Sequence, residues 1–195
     1  MKPDAEYLND IIKFAEQIKP EISMSDIEVL LAYRDNRFVI SDNVGVPGAE
    51  DISSIYMLWR VIYPRQDCFY LDHDYRGAKM AMARIKNMYD RLPDDSKPVA
   101  EVWRMFDIGF DNNSYITCRQ LHVDSLRGQG ISLLIINDLF GNYPDICESL
   151  LDSVMPVILE GSGRLIISVK PGEKDMAFNM LSRLYNDYSD IFKLI

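Results

Sequence analysis

The sequence predicts an α/β domain, a mainly parallel central sheet with flanking helices, and three observations carry that reading. Continuous apolar runs of strand length recur (Phe38-Val39-Ile40, Cys68-Phe69-Tyr70-Leu71, Leu133-Leu134-Ile135-Ile136 and Leu165-Ile166-Ile167), the mark of strands buried on both faces. Stretches with apolar residues at helical spacing lie between them. No repeat, low-complexity tract or composition shift interrupts the 195 residues, so one domain over 1–195 is expected, with N-terminal helices at about 4–34 and the α/β core at about 36–195.

Along the chain, Leu8, Ile11, Ile12, Ala15 and Ile18 mark a first helix that Pro20 ends. Ser25-Asp26-Ile27-Glu28 has capping-box spacing and predicts a second helix to about Tyr33. Arg37–Ile40 is the first strand. A glycine-bearing turn leads into a helix from Asp51 to about Ile62, where Ile52, Ile55, Tyr56, Trp59 and Ile62 recur. Asp67–Leu71 is a short buried strand, and Tyr75, Ala78, Met82, Ile85 and Tyr89 define a long helix. Beyond the polar connection Leu92–Ala100, Val102–Ile108 and Ser114–Arg119 flank the turn Asp111-Asn112-Asn113 and read as a hairpin. Ser132–Ile136 is the strongest strand signal. Pro144 suits the first turn of a helix over Ile146–Val154. Gly161-Ser162-Gly163 turns into the strand Arg164–Val169, Lys170-Pro171-Gly172 breaks it, and a last helix spans about Asp175–Tyr185.

Composition excludes several function classes. A net charge of −9 repels nucleic acid and anionic membranes. The nearest thing to a basic cluster, Arg84, Lys86 and Arg91, reads as a solvated helix face. Cys68, Cys118 and Cys147 lie far apart beside apolar runs, as buried free thiols of a reducing compartment do. The two histidines, His73 and His122, have no ligand spacing to a cysteine, so no metal centre is expected. The N-terminus is polar and acidic, unlike a secretory signal, and the run ISLLII is too short to span a bilayer. A soluble, cytoplasmic protein is expected.

The turn Ser41–Asp51 (SDNVGVPGAED) carries the functional question. Strand, glycine turn and helix are the setting of a phosphate-binding loop, which needs a lysine for the phosphates and a Ser/Thr hydroxyl for magnesium. No Lys or Arg occurs anywhere from 38 to 59.

The order of landmarks resembles the ATPase domain of the large terminase subunit, the DNA-packaging motor of tailed phages, from about Met24 to Leu184. Val39–Gly48 stands where the Walker A loop belongs. Ile108–Ile116, with Asp111-Asn112-Asn113-Ser114 at its turn, is similar to the family's hairpin. Arg127-Gly128 matches the pair preceding the Walker B strand, and Leu133–Ile136 with Asn137-Asp138 matches that strand and its acids. Ser168-Val169-Lys170-Pro171 resembles the coupling segment. Each also has a plainer reading: Arg127 and Gly128 as a loop arginine and turn glycine, Asp138 as a helix cap, Ser168–Pro171 as a strand exit.

The resemblance implies a P-loop NTPase fold and shows where the site departs from it. Aligned on Gly45, Asp42 stands at the family's arginine, Asn43 follows, Val46 replaces the lysine and Pro47 the magnesium-binding Thr, with Gly48 closing the turn. Pro47 also deletes one backbone N–H. Asp42, Glu50 and Asp51 place three carboxylates about a triphosphate's position, Glu50 and Asp51 being read as helix caps. Like charges about 4 Å apart cost ~1 kcal/mol in water and ~4 kcal/mol at an effective dielectric of ~20. At ~1.4 kcal/mol per tenfold, nucleotide affinity falls by powers of ten. Asn137 is neutral at the magnesium-associated acid, Asp138 can replace one acid of the pair only, and the adenine-reading glutamine is missing between Gln17 and Gln66.

The reading is a terminase-like pseudoenzyme without a nuclease domain, a binding or regulatory module linked to viral DNA packaging or phage assembly. No cofactor and no metal are expected. A protein partner is expected, such as a motor subunit, a portal or another phage or host protein, with homo-oligomerisation through motor-derived surfaces. Nucleic-acid or membrane binding is not, and the location would be the host cytoplasm. Two alternatives remain open: a divergent packaging ATPase, using ATP and Mg with Lys170 or a partner's lysine, and a Rossmann-like methyltransferase.

Overall fold

The apolar runs become the spine of one sheet in the computed structural model, which describes residues 10–122, 124–126, 128–141, 144–184 and 191–195. Among these residues the elements are α1 (Ile11–Ile18), α2 (Met24–Asp35), β1 (Phe38–Ser41), α3 (Ala49–Val61), β2 (Asp67–Asp72), α4 (Tyr75–Arg91), β3 (Ala100–Trp103), β4 (Asp107–Phe110), β5 (Tyr115–Gln120), β6 (Leu133–Asn137), α5 (Pro144–Glu160), β7 (Arg164–Ser168), α6 (Lys174–Leu184) and β8 (Phe192–Leu194), with a 3-10 turn at Leu139–Gly141. The sheet order is β3-β4-β5-β2-β6-β7-β1-β8. β5, β2, β6, β7, β1 and β8 run parallel, while β4 is antiparallel to β5 and β3 to β4.

Each central strand sends alternate residues into two separate cores. Val39, Cys68, Tyr70, Leu133, Ile135 and Ile166 pack with α1 to α4 on one face. Phe38, Ile40, Phe69, Leu71, Leu134, Ile136, Leu165 and Ile167 pack with α5 and α6 on the other. Burial of both faces is why these strands read as unbroken apolar runs. The three thiols are buried, and that of Cys147 donates to the Leu139 carbonyl; burial pushes Cys68 up to about 12 and Cys147 up to about 11, and raises Cys118 as well.

Several expectations shift on the structure. Asp10 caps α1, accepting the N–H groups of Ile12 and Lys13, while Leu8 lies outside the described residues. The capping box of α2 is Ser23 with Asp26, not Ser25 with Glu28, because Ser23 already supplies the spacing and starts the helix earlier. α3 begins at Ala49, and its N-cap is Gly48 without a side-chain bond, so Glu50 and Asp51 lie in the first turn rather than capping it. The stretch Val102–Ile108 is two strands: the Arg104 N–H bonds the Asp107 carbonyl and breaks it into β3 and β4. β4 and β5 form the expected hairpin about Asp111–Ser114. Phe192–Leu194, to which the sequence assigned no strand, form β8 beside β1. The end of the last expected helix, Tyr185, lies outside the described residues.

Two arginines fix the strand origins to the helical layers. Arg37, just before β1, donates to the carbonyls of Gly163 (2.7 Å), Gly161 (2.6 Å) and Ile158 at the end of α5. Arg164, at the start of β7, donates to the carbonyls of Tyr33 (3.1 Å), Arg34 (3.0 Å) and Asn36 (2.9 Å) at the end of α2. These carbonyls are the ones a helix end leaves without partners.

Candidate functional site

The opposite edge of the sheet carries the candidate site. Register places Gln120, Asp72, Asn137, Ser168 and Ser41 side by side at the C-terminal ends of β5, β2, β6, β7 and β1. Open α/β sheets bind ligands at this edge.

The turn Asp42–Gly48 leaves β1 here, and its backbone amides are turned inward on the protein. The Val44 N–H donates to the Val169 carbonyl (3.0 Å), Val46 to Asn43 (3.0 Å) and Ala49 to Val46 (3.2 Å), while Asp42 donates to Ile195 (3.4 Å). Pro47 has no N–H to offer. Gly45 and Gly48 adopt φ of +79° and +89°, which the turn requires and glycine alone tolerates readily.

Beneath the turn lies the buried Tyr33 hydroxyl, facing Asn43, Ser53, Ser168 and Ser41. Asn43 Nδ2 stands 3.5 Å from it. Burial pushes this phenol above its usual range, and the four hydrogen-bonding neighbours partly offset the rise.

The carboxylates expected to crowd a triphosphate are each ion-paired. Asp42 Oδ2 lies 3.6 Å from Lys174 Nζ on α6. Glu50 and Asp51 share Arg84 of α4, the Asp51 contact being 3.4 Å. Arg84 is therefore not a solvated cation, as its helix position suggested. Lys19, from the end of α1, reaches the outer side of the turn: its Nζ would lie 3.1 Å from a Cβ at Gly48, and it pairs with Asp26 at 3.1 Å. These two residues, with Ser23, Asn43, Val46 and Pro47, line a cleft of about 350 Å³.

At the exit of β6, Asn137 donates through Nδ2 to Asp72 Oδ2 (3.0 Å). Burial pushes the Asp72 carboxyl above its ordinary value, against the bonds from Asn137 and the Asp74 N–H. Asp138 is 5% exposed, holds φ +53°, and faces Lys170 Nζ (3.3 Å) and His73 Nδ1 (3.6 Å) through Oδ2.

Of the residues singled out from sequence, the structure joins the turn Asp42, Asn43, Gly45, Val46, Pro47 and Gly48 to the Ser168–Pro171 segment through Val44 and Val169, and joins Asp138 to Lys170, while Asn137 bonds Asp72 instead. Gly128 lies apart, lining a small cleft with Val154 and Val157 of α5. Arg127 lies outside the described residues. Tyr33, Asp72, Lys19 and Lys174 were not singled out for the site, and His73 was weighed only for its spacing to a cysteine. Asp72-His73-Asp74 was visible as a histidine between two acids at a strand end; the others come from distant elements and leave no local signal.

No protein-family model matches the sequence, and no curated protein is similar to it in sequence. Solved structures are similar in fold. The large terminase of bacteriophage HK97 superposes with a TM-score of 0.69 at 11% identity, covering 100% of this chain and 43% of that one. The large terminase ATPase domain of Thermus phage P74-26 gives 0.64 at 12% identity, covering 92% and 74%. The large terminase of a thermophilic bacteriophage in complex with ADP gives 0.63 at 14% identity, covering 89% and 44%. The chain thus spans less than half of the full-length large terminases it matches. β1 is separated from β2 by β6 and β7, which sets aside the methyltransferase alternative, where the first two strands are neighbours. At these identities the likeness is one of fold, and the fold is that of the large terminase ATPase domain.

Proposed function

We propose that this protein is a terminase-ATPase-fold module that does not hydrolyse ATP and acts by binding a protein partner, in viral DNA packaging or phage assembly. The observation that carries the reading is the inward use of the turn's amides. A phosphate cradle needs those N–H groups aimed at the anion, and here Val44, Val46 and Ala49 spend them on carbonyls of the same chain. Val46 and Pro47 at the lysine and threonine positions, and Asn137 at the acid, point the same way. The net charge of −9 favours a motor subunit, a portal or another phage or host protein over DNA. A second copy of the chain is compatible with the same reading. Among the described residues no helix is long and apolar enough to cross a membrane.

Thermal unfolding with millimolar Mg-ATP and with a non-hydrolysable analogue tests the loss of nucleotide binding. A ligand at 100 times its dissociation constant stabilises a fold by ~2.7 kcal/mol, a shift of several degrees. No shift is expected. A magnesium-dependent shift would instead support the divergent ATPase, for which the lysine beside Gly48 is Lys19, exchanged from Asp26, with Lys170 held on Asp138.

A further inference from the structure

We propose that Asp72, His73 and Asp74 at the exit of β2, with Asp138 across from them at the exit of β6, bind a divalent transition-metal ion without nucleotide. Asp72, His73 and Asp74 each offer a ligand atom, and these atoms all lie within 4.8 Å of one another. His73 Nδ1 stands 2.9 Å from Asp72 Oδ1 and 3.6 Å from Asp138 Oδ2, and His73 Nε2 stands 3.7 Å from Asp74 Oδ2.

Asp138 supplies the independent observation. It is 5% exposed, and its Oδ1 is buried without a hydrogen-bond partner. A buried carboxylate oxygen left bare is costly unless a cation or donor meets it. Its other oxygen already holds a cation, the Lys170 ammonium, whose side chain is 52% exposed and free to withdraw into solvent. The carboxylates are also closely cradled by backbone. A Cβ at Gly77 would fall 2.0 Å from Asp72 Oδ1, and one at Gly141 would fall 2.5 Å from Asp138 Oδ2 and 2.9 Å from His73 Cβ.

The remaining oxygens are oriented from behind, as ligands of a metal centre generally are. Asp72 Oδ2 accepts from Asn137, and Asp74 Oδ1 accepts from the Gly77 N–H at 2.6 Å while capping α4. One imidazole among carboxylates suits Mn²⁺, Co²⁺ or Zn²⁺ rather than the all-oxygen preference of Mg²⁺ and Ca²⁺. The centre spans the exits of β2 and β6, with β7 between it and the strand that leads into the turn Asp42–Gly48, and needs no phosphate.

The test is a titration of the untagged protein with CoCl₂ alone, followed by visible absorption and by thermal unfolding. One saturable Co²⁺ per chain is expected, with a spectrum altered by nitrogen ligation. His73→Gln, at a half-exposed position, should keep the metal-free unfolding temperature and weaken binding by about tenfold or more. Lys170→Met, which removes the competing ammonium from Asp138, should tighten binding. Absence of saturable binding through millimolar Co²⁺, equal affinity in His73→Gln, or no gain in Lys170→Met would overturn the assignment. Nucleotide is absent throughout, so failure here is distinguishable from a failed Mg-ATP result.

Discussion

Lys174 Nζ lies 3.6 Å from Asp42 Oδ2 and 3.3 Å from the Ile195 carbonyl, so one ammonium on α6 ties the turn after β1 to the strand at the sheet's edge. Both side chains are partly exposed, which limits the pair to about 0.2–1 kcal/mol. Lys174→Met should lower the unfolding free energy measured in urea by that amount at low salt, and the difference should shrink in molar NaCl. A loss unaffected by salt would mean that the lysine acts by packing.

The turn's two glycines separate conformation from space. Both have positive φ, which costs a non-glycine residue about 1–2 kcal/mol. Nothing lies within 4 Å of a Cβ at Gly45, whereas at Gly48 the Lys19 ammonium would lie 3.1 Å away. Gly45→Ala should therefore lose about 1–2 kcal/mol, and Gly48→Ala slightly more, since the Lys19 ammonium must also shift by a few tenths of an ångström. Denaturant unfolding of the two variants side by side checks the order.

Tyr33→Phe removes the hydroxyl that Asn43, Ser53, Ser168 and Ser41 surround. Leaving buried polar groups without a partner costs about 1–3 kcal/mol. The same variant should speed amide exchange at Val44, whose N–H is held by Val169 above that cluster. Unchanged exchange would show that the phenol does not support the turn.

Asp26 gives the protein an acid-sensitive anchor. Burial alone would raise its carboxyl, but bonds from Lys19 and Ser23 outweigh it and hold the group below its ordinary 3.8. A carboxylate lowered in the folded state contributes stability that is present in full above the unfolded value and is lost as pH falls through the folded one. The unfolding-temperature gap between the protein and Asp26→Asn should thus be constant from pH 7 to about pH 5. It should close below pH 3.8. A gap that persists at the lowest pH would assign the effect to shape rather than charge.

How much of this could be read from sequence follows from what is local. β1, β2, β6 and β7 were legible because burial on both faces writes an unbroken apolar run. β8 was not: Phe192-Lys193-Leu194 is three residues long, and only its place beside β1 makes it a strand. The departures at Val46, Pro47 and Asn137 were legible, being substitutions at aligned positions. The compensation was hidden. Lys174, Arg84 and Lys19 meet Asp42, Glu50 and Gly48 across long sequence separations, so the turn looked like bare negative charge when it is paired. Ser23 was overlooked for Ser25 because two serines offer near-identical spacing and only the helix start distinguishes them.

Arg37 and Arg164 stand at the heads of neighbouring parallel strands and reach in opposite directions, one to the end of α5 and the other to the end of α2. Neither helical layer can peel from the sheet without stranding several carbonyls and a guanidinium. The two cores, though they share no side chains, are thereby made to open together: slow-exchanging amides on both faces should report a single opening free energy, and one arginine removed should split it into two.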